Sequence, residues 1–369
     1  MKEREKMKKT EIKPVYYDGF RCIAGDCPIT CCQEWKIAVD EATERRWQAN
    51  LREKLTQKDG ETVIGLTDEM KCPFLNEDKL CKLVIQYGEE SLSETCTLFP
   101  RQIHDFGDRV EYSLVACCPE VVNILREQKD FKFTESLEGL KGQGSLFELR
   151  NLIFSVLTNA SYRIEHAMKI CFYILLDAYE QGEKINLEPY GAQAIAELAE
   201  AIAQMERNPQ ETYAESCELF LDISENYRKE GIYKNFLEQT AGLAEQYLTE
   251  DASAEKIAEF EQDFVKWEAW MRNYLMAEIF ADFLLPDSDL EDMVVAFQWI
   301  GMEYAVVRQV IFLQYLEDKK SALAPENIRN VIVYIARMTG YDSDDIREYL
   351  ENSFETLIWE WGYFALITG

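Results

Sequence analysis

Histidine is almost missing from this chain: among 369 residues there are two, His104 and His166. With so few, and with no G-x-S-x-G turn, no Ser–His–Asp nucleophile arrangement can be assembled. A phosphate-cradling G-x4-G-K-S/T loop is absent as well. Positive charge is also short, 39 Lys and Arg against 68 Asp and Glu, for a net charge of −29. The deficit is concentrated beyond residue 130, where 19 basic residues stand against 43 acidic ones. So acidic a body repels phosphate backbones and anionic membrane surfaces, which argues against a nucleic-acid partner. Two readings are left: a solvated surface that aids solubility, or a dock for a cationic, lysine-bearing polypeptide.

Uninterrupted apolar runs are lacking too. The most apolar segment, residues 293–316, is broken by Gln298, Glu303, Arg308, Gln309 and Gln314. It is expected to be a buried helix with no membrane insertion. The basic start, MKEREKMKKT, is followed by no apolar stretch and so does not read as a secretory signal. The expected location is cytoplasmic, where thiols stay reduced.

What is present points to a folded, mainly α protein. Hydrophobic residues make up 47% and aromatic residues 12%, more than a disordered chain of this charge would carry. Two regimes are visible. Residues 1–130 hold short apolar runs, turns and nine of the eleven cysteines, and read as an irregular Cys-rich metal- or cluster-binding module. Residues 131–369 read as an acidic, all-helical domain. The stretch with Gly139, Gly142 and Gly144 is read as a linker, because no strand precedes it as a nucleotide-binding loop would require. Helices are expected over 146–158, 162–180, 188–205, 229–247, 325–338, 343–353 and 354–367. From Ile257, the positions Phe260, Phe264, Trp267, Met271 and Tyr274 step by three and four along one helical face, with Ser253 in a capping position. Pro286 closes that segment, and Ser288 or Asp289 opens the next. Strand-like alternation is scarce, and residues 110–116 are its best candidate. No repeat of 34 to 45 residues is detectable.

The cysteines carry the chemistry. They run Cys22-x4-Cys27-x3-Cys31-Cys32, then Cys72-x8-Cys81-x14-Cys96, then Cys117-Cys118. A disulfide framework would need an oxidising compartment and usually a short secreted chain. A structural zinc site takes four ligands, usually from two C-x2–4-C knuckles, and only Cys27-x3-Cys31 has that spacing. An iron–sulfur cluster takes four thiolates from turn-rich segments, and Gly25, Pro28, Pro73 and Gly88 supply turns. Cys171 and Cys217 lie alone in helical segments and read as buried structural thiols.

These motifs resemble a known family. Phe20-Arg21-Cys22, Asp26-Cys27, Thr30-Cys31-Cys32, Trp35, Ile37 and Asp40 are similar to the opening motif of the FliB family, the flagellin lysine N-methylases. The second block agrees: Cys72-Pro73-Phe74-Leu75, Leu80-Cys81, Gly88, Leu92-Ser93, Cys96 and Phe99-Pro100-Arg101. Cys118-Pro119-Glu120 resembles the third element, and Arg272-Asn273-Tyr274 adds a weaker likeness in the helical part. The resemblance implies methyl transfer from S-adenosylmethionine to lysine side chains of flagellin by a protein holding a 4Fe-4S cluster, with Zn2+ as the alternative occupant. It carries ligand candidacy onto Cys22, Cys27, Cys31, Cys32, Cys72, Cys81, Cys96 and Cys118, and leaves Cys117 outside the pattern. It names no catalytic or donor-binding residue. A radical S-adenosylmethionine enzyme would show C-x3-C-x2-C, which this spacing does not match. The rival to an enzyme is a zinc- or cluster-binding module that binds or senses without catalysis.

Other residues carry simpler readings. His104 is expected to be a loop histidine before a ligand, and His166 needs no function. Arg101 either screens thiolates or ties a loop to an acidic neighbour. Trp35 is expected to shield the cysteine site, and Asp40 to cap the helix carrying Trp47.

Overall fold

The computed structural model describes residues 9–58, 60–135, 144–182, 184–249, 253–340 and 343–369. The chain begins with short elements: β1 (Thr10–Ile12), α1 (Glu41–Arg46), α2 (Ala49–Arg52), β2 (Leu55–Lys58), β3 (Glu61–Ile64), α3 (Lys82–Tyr87), α4 (Glu94–Leu98), β4 (Arg101–Asp105), β5 (Arg109–Leu114) and α5 (Pro119–Glu127). Among the described residues beyond 144 every regular element is helical: α6 (Ser145–Thr158), α7 (Ile164–Gln181), α8 (Ala192–Ala203), α9 (Pro209–Glu230), α10 (Lys234–Thr249), α11 (Ala254–Phe264), α12 (Glu268–Asp282), α13 (Leu290–Glu317), α14 (Lys319–Ala322), α15 (Pro325–Thr339), α16 (Ser343–Ser353) and α17 (Trp361–Thr368). The fold is thus mainly α. The linker glycines Gly139 and Gly142 lie outside the described residues.

Helix α13 is the axis of the body, in contact with α7, α9, α10, α12, α15 and α17. It is buried on all sides over most of its length, which is why it shows no amphipathic stripe. Asp289 opens it through a capping box with Asp292. Its polar residues are satisfied by side chains or backbone of neighbours, with the buried Gln309 Oε1 as an exception. Gln298 donates to the Leu357 carbonyl at 2.6 Å and accepts from the Trp359 amide at 3.0 Å. Arg308 donates to Glu261 at 2.7 Å. A buried polar group without such a partner would cost a few kcal/mol, so these residues specify where α13 sits. Among the described residues no helix is long and apolar enough to cross a membrane.

One glycine decides how close α17 comes. A Cβ on Gly301 would lie 2.3 Å from the Phe364 ring. Phe364 cannot move aside, since it is fully buried and stacks on Phe172 with ring centroids 4.2 Å apart. Gly301→Ala is therefore expected to destabilise the protein by about 1–3 kcal/mol through overpacking, read as a lower urea midpoint at unchanged slope.

The short elements do not make one separate body. The sheet β1-β5-β4, with β1 parallel and β4 antiparallel to β5, shares its core with the helices. Ile12, Tyr16, Phe20, Leu114, Val121, Leu125 and Phe131 all belong to that large core. A second, small core contains Ile37, Val39, Trp47, Ile64, Cys72, Phe74 and Leu83. The β2–β3 hairpin and α1 to α4 build it.

Several sequence expectations are corrected. The segment from Ser253 does cap as expected, with its hydroxyl accepting from the Lys256 amide, but it is two helices, α11 and α12, joined by a 3-10 turn over Val265–Trp267. The last helix begins at Trp361 and not at 354, because the backbone at 357–359 is tied to the Gln298 side chain. Helices α5 and α9 were not anticipated. In α9 the buried face is filled partly by Thr212, Ser216 and Ser224, small polar residues that dilute the apolar stripe.

Candidate functional site

The cysteine segments are held together by local backbone chemistry. Residues 32–34 pair with 70–72: the Cys72 amide donates to the Cys32 carbonyl at 2.8 Å, and the Glu34 amide to the Met70 carbonyl at 2.7 Å. After Cys72 the chain turns at 76–80, where the Asn76 side chain accepts from the Leu80 amide at 2.7 Å. That turn returns Cys81 beside Leu75. Ser93 caps α4, accepting from the Cys96 amide at 3.2 Å, so Cys96 lies in the helix's first turn. Asp40 caps α1 through the Thr43 amide and also accepts from the Glu94 amide at 3.0 Å. Those backbone donors, Glu94 first, hold the Asp40 carboxyl down at about 2. Asp40 therefore does cap the helix before Trp47, and it additionally staples the first cysteine segment to the Cys96 helix.

This arrangement sorts the eight candidate thiols into two neighbourhoods. Cys72 lies in the small core, with Cys32, Cys81 and Cys96 packed against it. Burial, and then the fields of Cys32, Cys96 and Cys81, push the Cys72 thiol up to about 12. Burial raises Cys96 too, with Cys32 and Cys81 adding to it. In the other neighbourhood Cys27 is raised by burial and by Cys22, and Cys118, on the edge of the large core, is raised by burial to about 11 with smaller contributions from Cys27 and Cys22. Cys31 joins the two. It donates a hydrogen bond to Cys32, is itself raised well above the usual thiol range by that bond and by burial, and feels Cys118. The same bond brings Cys32 down to about 7. All eleven cysteines are free thiols, including Cys171 and Cys217, which are buried in α7 and α9. Cys32, Cys72, Cys81 and Cys96 thus share one small core, and four is the number of thiolates that an iron–sulfur cluster or a zinc site takes. The side chains as they stand are not drawn to ligating geometry: among the described residues no group of three or more His, Cys, Asp or Glu is arranged to hold a metal ion.

Sequence reasoning missed the residue that ties this region to the body. Arg337, from α15, donates to the carbonyls of Cys117 at 3.0 Å, Ile29 at 2.9 Å and Thr30 at 3.3 Å. Its guanidinium lies 5.2 Å from the Trp35 ring centroid. It favours the thiolate at Cys27, Cys31, Cys32 and Cys117. No spacing in the sequence signals a partner some 220 residues away. Trp35 meets Phe99 edge to face, consistent with shielding. Arg101 instead rests over the rings of Phe20 and Tyr17. His104 is in β4, paired with Glu111 across the sheet, and His166 is in α7.

Behind Cys117 lies a set of carboxylates, Glu278 and Glu303 buried and Asp282 half-buried. Glu278 accepts from the Ala116 amide at 3.2 Å, and Asp282 from the Gln102 side chain at 3.2 Å. Glu303 accepts from the Tyr274 and Thr339 hydroxyls. Burial raises all three, Asp282 to about 6. The Tyr16 hydroxyl, buried and without a hydrogen-bond partner, feels the Glu278 charge. In the sequence Glu303 is legible only as an interruption of an apolar run.

Comparison with known proteins gives a consistent picture. Residues 150–367 match the model of the FliB lysine N-methylase C-terminal domain. The flagellar biosynthetic protein FliU of Salmonella muenchen is 31% identical over 134 residues, 33% of this chain and 79% of that protein. The lysine-N-methylases of Salmonella typhimurium and Salmonella choleraesuis are each 31% identical over 134 residues, which is 33% of this chain and 33% of theirs. The matched stretch thus spans a third of the length of those two enzymes. No solved structure matches.

Proposed function

This chain belongs to the FliB lysine N-methylase family, and from that premise we propose that it is a protein-lysine N-methyltransferase that moves a methyl group from S-adenosylmethionine to lysine side chains of flagellin. The match over residues 150–367 carries the reading. A flagellin substrate is supported by the flagellar name of a relative, and a cytoplasmic location goes with a chain whose cysteines are all free thiols.

In the proposed reaction the lysine ammonium first loses a proton, since only the neutral amine has a lone pair and its ordinary pKa is about 10.4. The amine nitrogen then forms a bond to the methyl carbon while the carbon–sulfur bond breaks, leaving its electron pair on sulfur as S-adenosylhomocysteine. The methylated ammonium carries the positive charge. Carboxylates with raised pKa values, Glu278, Asp282 and Glu303, are this chain's candidates for taking the proton. The excess of acidic residues beyond residue 130 favours the approach of a lysine-bearing substrate.

A 4Fe-4S cluster, or Zn2+, would be held by thiolates drawn from Cys22, Cys27, Cys31, Cys32, Cys72, Cys81, Cys96 and Cys118. When bound, a cluster supplies redox-active iron, and zinc supplies a Lewis acid and a structural tie. Arg337 offsets thiolate charge there, and the Asp40 and Ser93 caps fix the segments that carry Cys32 and Cys96. The test is transfer of labelled methyl from S-adenosylmethionine to purified flagellin by anaerobically prepared protein. Absence of label on lysine from a preparation with its metal bound would refute the proposal.

Asp282 gives a pH-dependence with a definite sign. Its folded pKa is raised from 3.8 to about 6, so folding favours the protonated form. That stability is fully present below about pH 4 and is lost as pH rises through about 6. Asp282→Asn is therefore expected to match wild type near pH 4 and to exceed it by about 1–2 kcal/mol near pH 8, the figure discounted because the residue is only half-buried. Urea unfolding at the two pH values checks this.

A further inference from the structure

The sheet β1-β5-β4 has two ends, and the fold treats them differently. At the β1 end a later stretch of chain lies alongside: the Val15 amide donates to the Lys132 carbonyl at 3.0 Å, and the Thr134 amide to the Lys13 carbonyl at 2.9 Å. At the other end β4 is paired with β5 and, among the described residues, with no further strand. The register shows which of its backbone groups are used. The Val115 amide donates to the Pro100 carbonyl, and the Phe106 amide to the Arg109 carbonyl, both at 3.0 Å. Between those bonds the backbone alternates, so Gln102 and His104 bond to β5 while Arg101, Ile103 and Asp105 turn their N–H and C=O groups outward. Among the described residues these outward groups have no backbone partner. Ile103 itself is 47% exposed.

An unpaired edge is a template for another strand, and proteins commonly guard it with charges that stand off a partner. The two charges on this edge are instead turned to the chain's own use. Arg101 lies over the rings of Phe20 and Tyr17, and Asp105 pairs with Lys9 at 2.5 Å. What lies beside the edge is carboxylate. Gln102, between two outward-facing residues, donates to Asp282 at 3.2 Å, and Asp282 is half-buried, so solvent and a side chain reach it. Glu278, one turn earlier on α12, accepts from the Ala116 amide just past β5. A strand laid against β4 would run about 4.8 Å from it, with alternate side chains on the face shared by Gln102 and His104. A lysine among them is within one side chain's length of Asp282. Backbone donors and acceptors in a row, with anions behind them, are complementary to extended chain carrying a cation.

We propose that the open edge of β4 binds an extended, lysine-bearing segment of the protein substrate as an added strand, its backbone bonded to Arg101, Ile103 and Asp105 and one lysine set beside Gln102, facing Asp282. The identity of the partner rests on the methyltransferase reading. Main-chain bonds hold the segment whatever its sequence, and the carboxylates select the cation. The same arrangement delivers the lysine to one of the groups named above as a proton acceptor.

Hydrogen exchange of the full wild-type chain, resolved to single amides, is read with and without purified flagellin. In the chain alone the Ile103 amide is expected to exchange fast and the His104 amide slowly, and flagellin is expected to slow Ile103 by about tenfold or more. Ile103→Pro removes an amide that bonds nothing within the sheet, a change an edge strand tolerates. It is expected to raise the KM for flagellin by about tenfold or more. Ile103→Thr keeps the amide and a strand-forming side chain, and is expected to raise it by about threefold or less. An equal loss in both variants would assign the contact to the side chain and overturn the added strand. An Ile103 amide that flagellin leaves unprotected overturns it as well, and this decides the matter even where Ile103→Pro fails to fold. Protection of Ile103 in the chain alone that fades on dilution would make the edge a contact between two copies, and it too overturns the inference. Failure of the functional reading is a separate result: flagellin protects Ile103, yet no label passes from S-adenosylmethionine to its lysines.

Discussion

Cys72→Ala is expected to strip bound metal from the protein and lower methyl transfer by about a hundredfold or more. Cys72 is the most deeply set of the four thiols in its neighbourhood, buried in the small core with Cys32, Cys81 and Cys96 packed against it. Its thiol is held up at about 12, so without a metal it stays protonated. Binding a metal ion would release that proton, and the ion would replace weak packing with strong bonds. Iron, zinc and acid-labile sulfide per chain are the measurements. Cys217→Ala is the control, since that thiol lies in α9, against Gln309, and should retain full metal. Cys27→Ala probes the second neighbourhood. If it loses metal while Cys72→Ala keeps it at full stoichiometry, the ligands are Cys22, Cys27, Cys31 and Cys118 instead. Retention of metal and activity in both variants would remove the thiolate site from the proposal.

The second large effect concerns the join between sheet and body. Arg109, Glu111 and Arg150 are each no more than 3% exposed. Arg150, on α6, grips Glu111 of β5 with two hydrogen bonds at 2.8 and 2.7 Å, and Arg109 reaches the same carboxylate at 3.0 Å. Arg109 also lies 3.4 Å from the Phe147 ring centroid. Glu111→Gln would leave two buried guanidinium groups without their counter-charge. The expected loss is about 3–5 kcal/mol, seen in urea unfolding. Replacing all three residues by apolar ones of similar volume should recover much of that loss, because the desolvation cost then disappears along with the attraction. A Glu111→Gln protein as stable as wild type would mean that water reaches the cluster.

That triad also shows where sequence reading stops. Residues 110–116 read as strand from the alternation of Val110, Tyr112 and Leu114, and the strand is there. Its more buried face is nevertheless that of Arg109, Glu111 and Ser113, the polar set. An alternation pattern identifies a strand and its two faces, but here an ion pair with α6 reverses which of them points inward. The cysteine site behaves in a similar way. The spacing singled out the eight thiols, and the structure distributes them into two neighbourhoods joined at Cys31 and Cys32, a division no spacing encodes.

By itself the sequence determined the mainly helical class, the buried course of residues 293–316, the caps at Asp40 and Ser253, the start of the next helix at Ser288 or Asp289, and the candidate thiols. Those are matters of local periodicity, capping chemistry and residue type, which act within a few turns of chain. Tertiary structure alone decided the pairing of β1 with β5, the reach of Arg337 to the cysteine backbone, and the gathering of Glu278, Asp282 and Glu303 behind Cys117. Each of these depends on desolvation or on groups from separate elements meeting, and both are properties of the packed molecule.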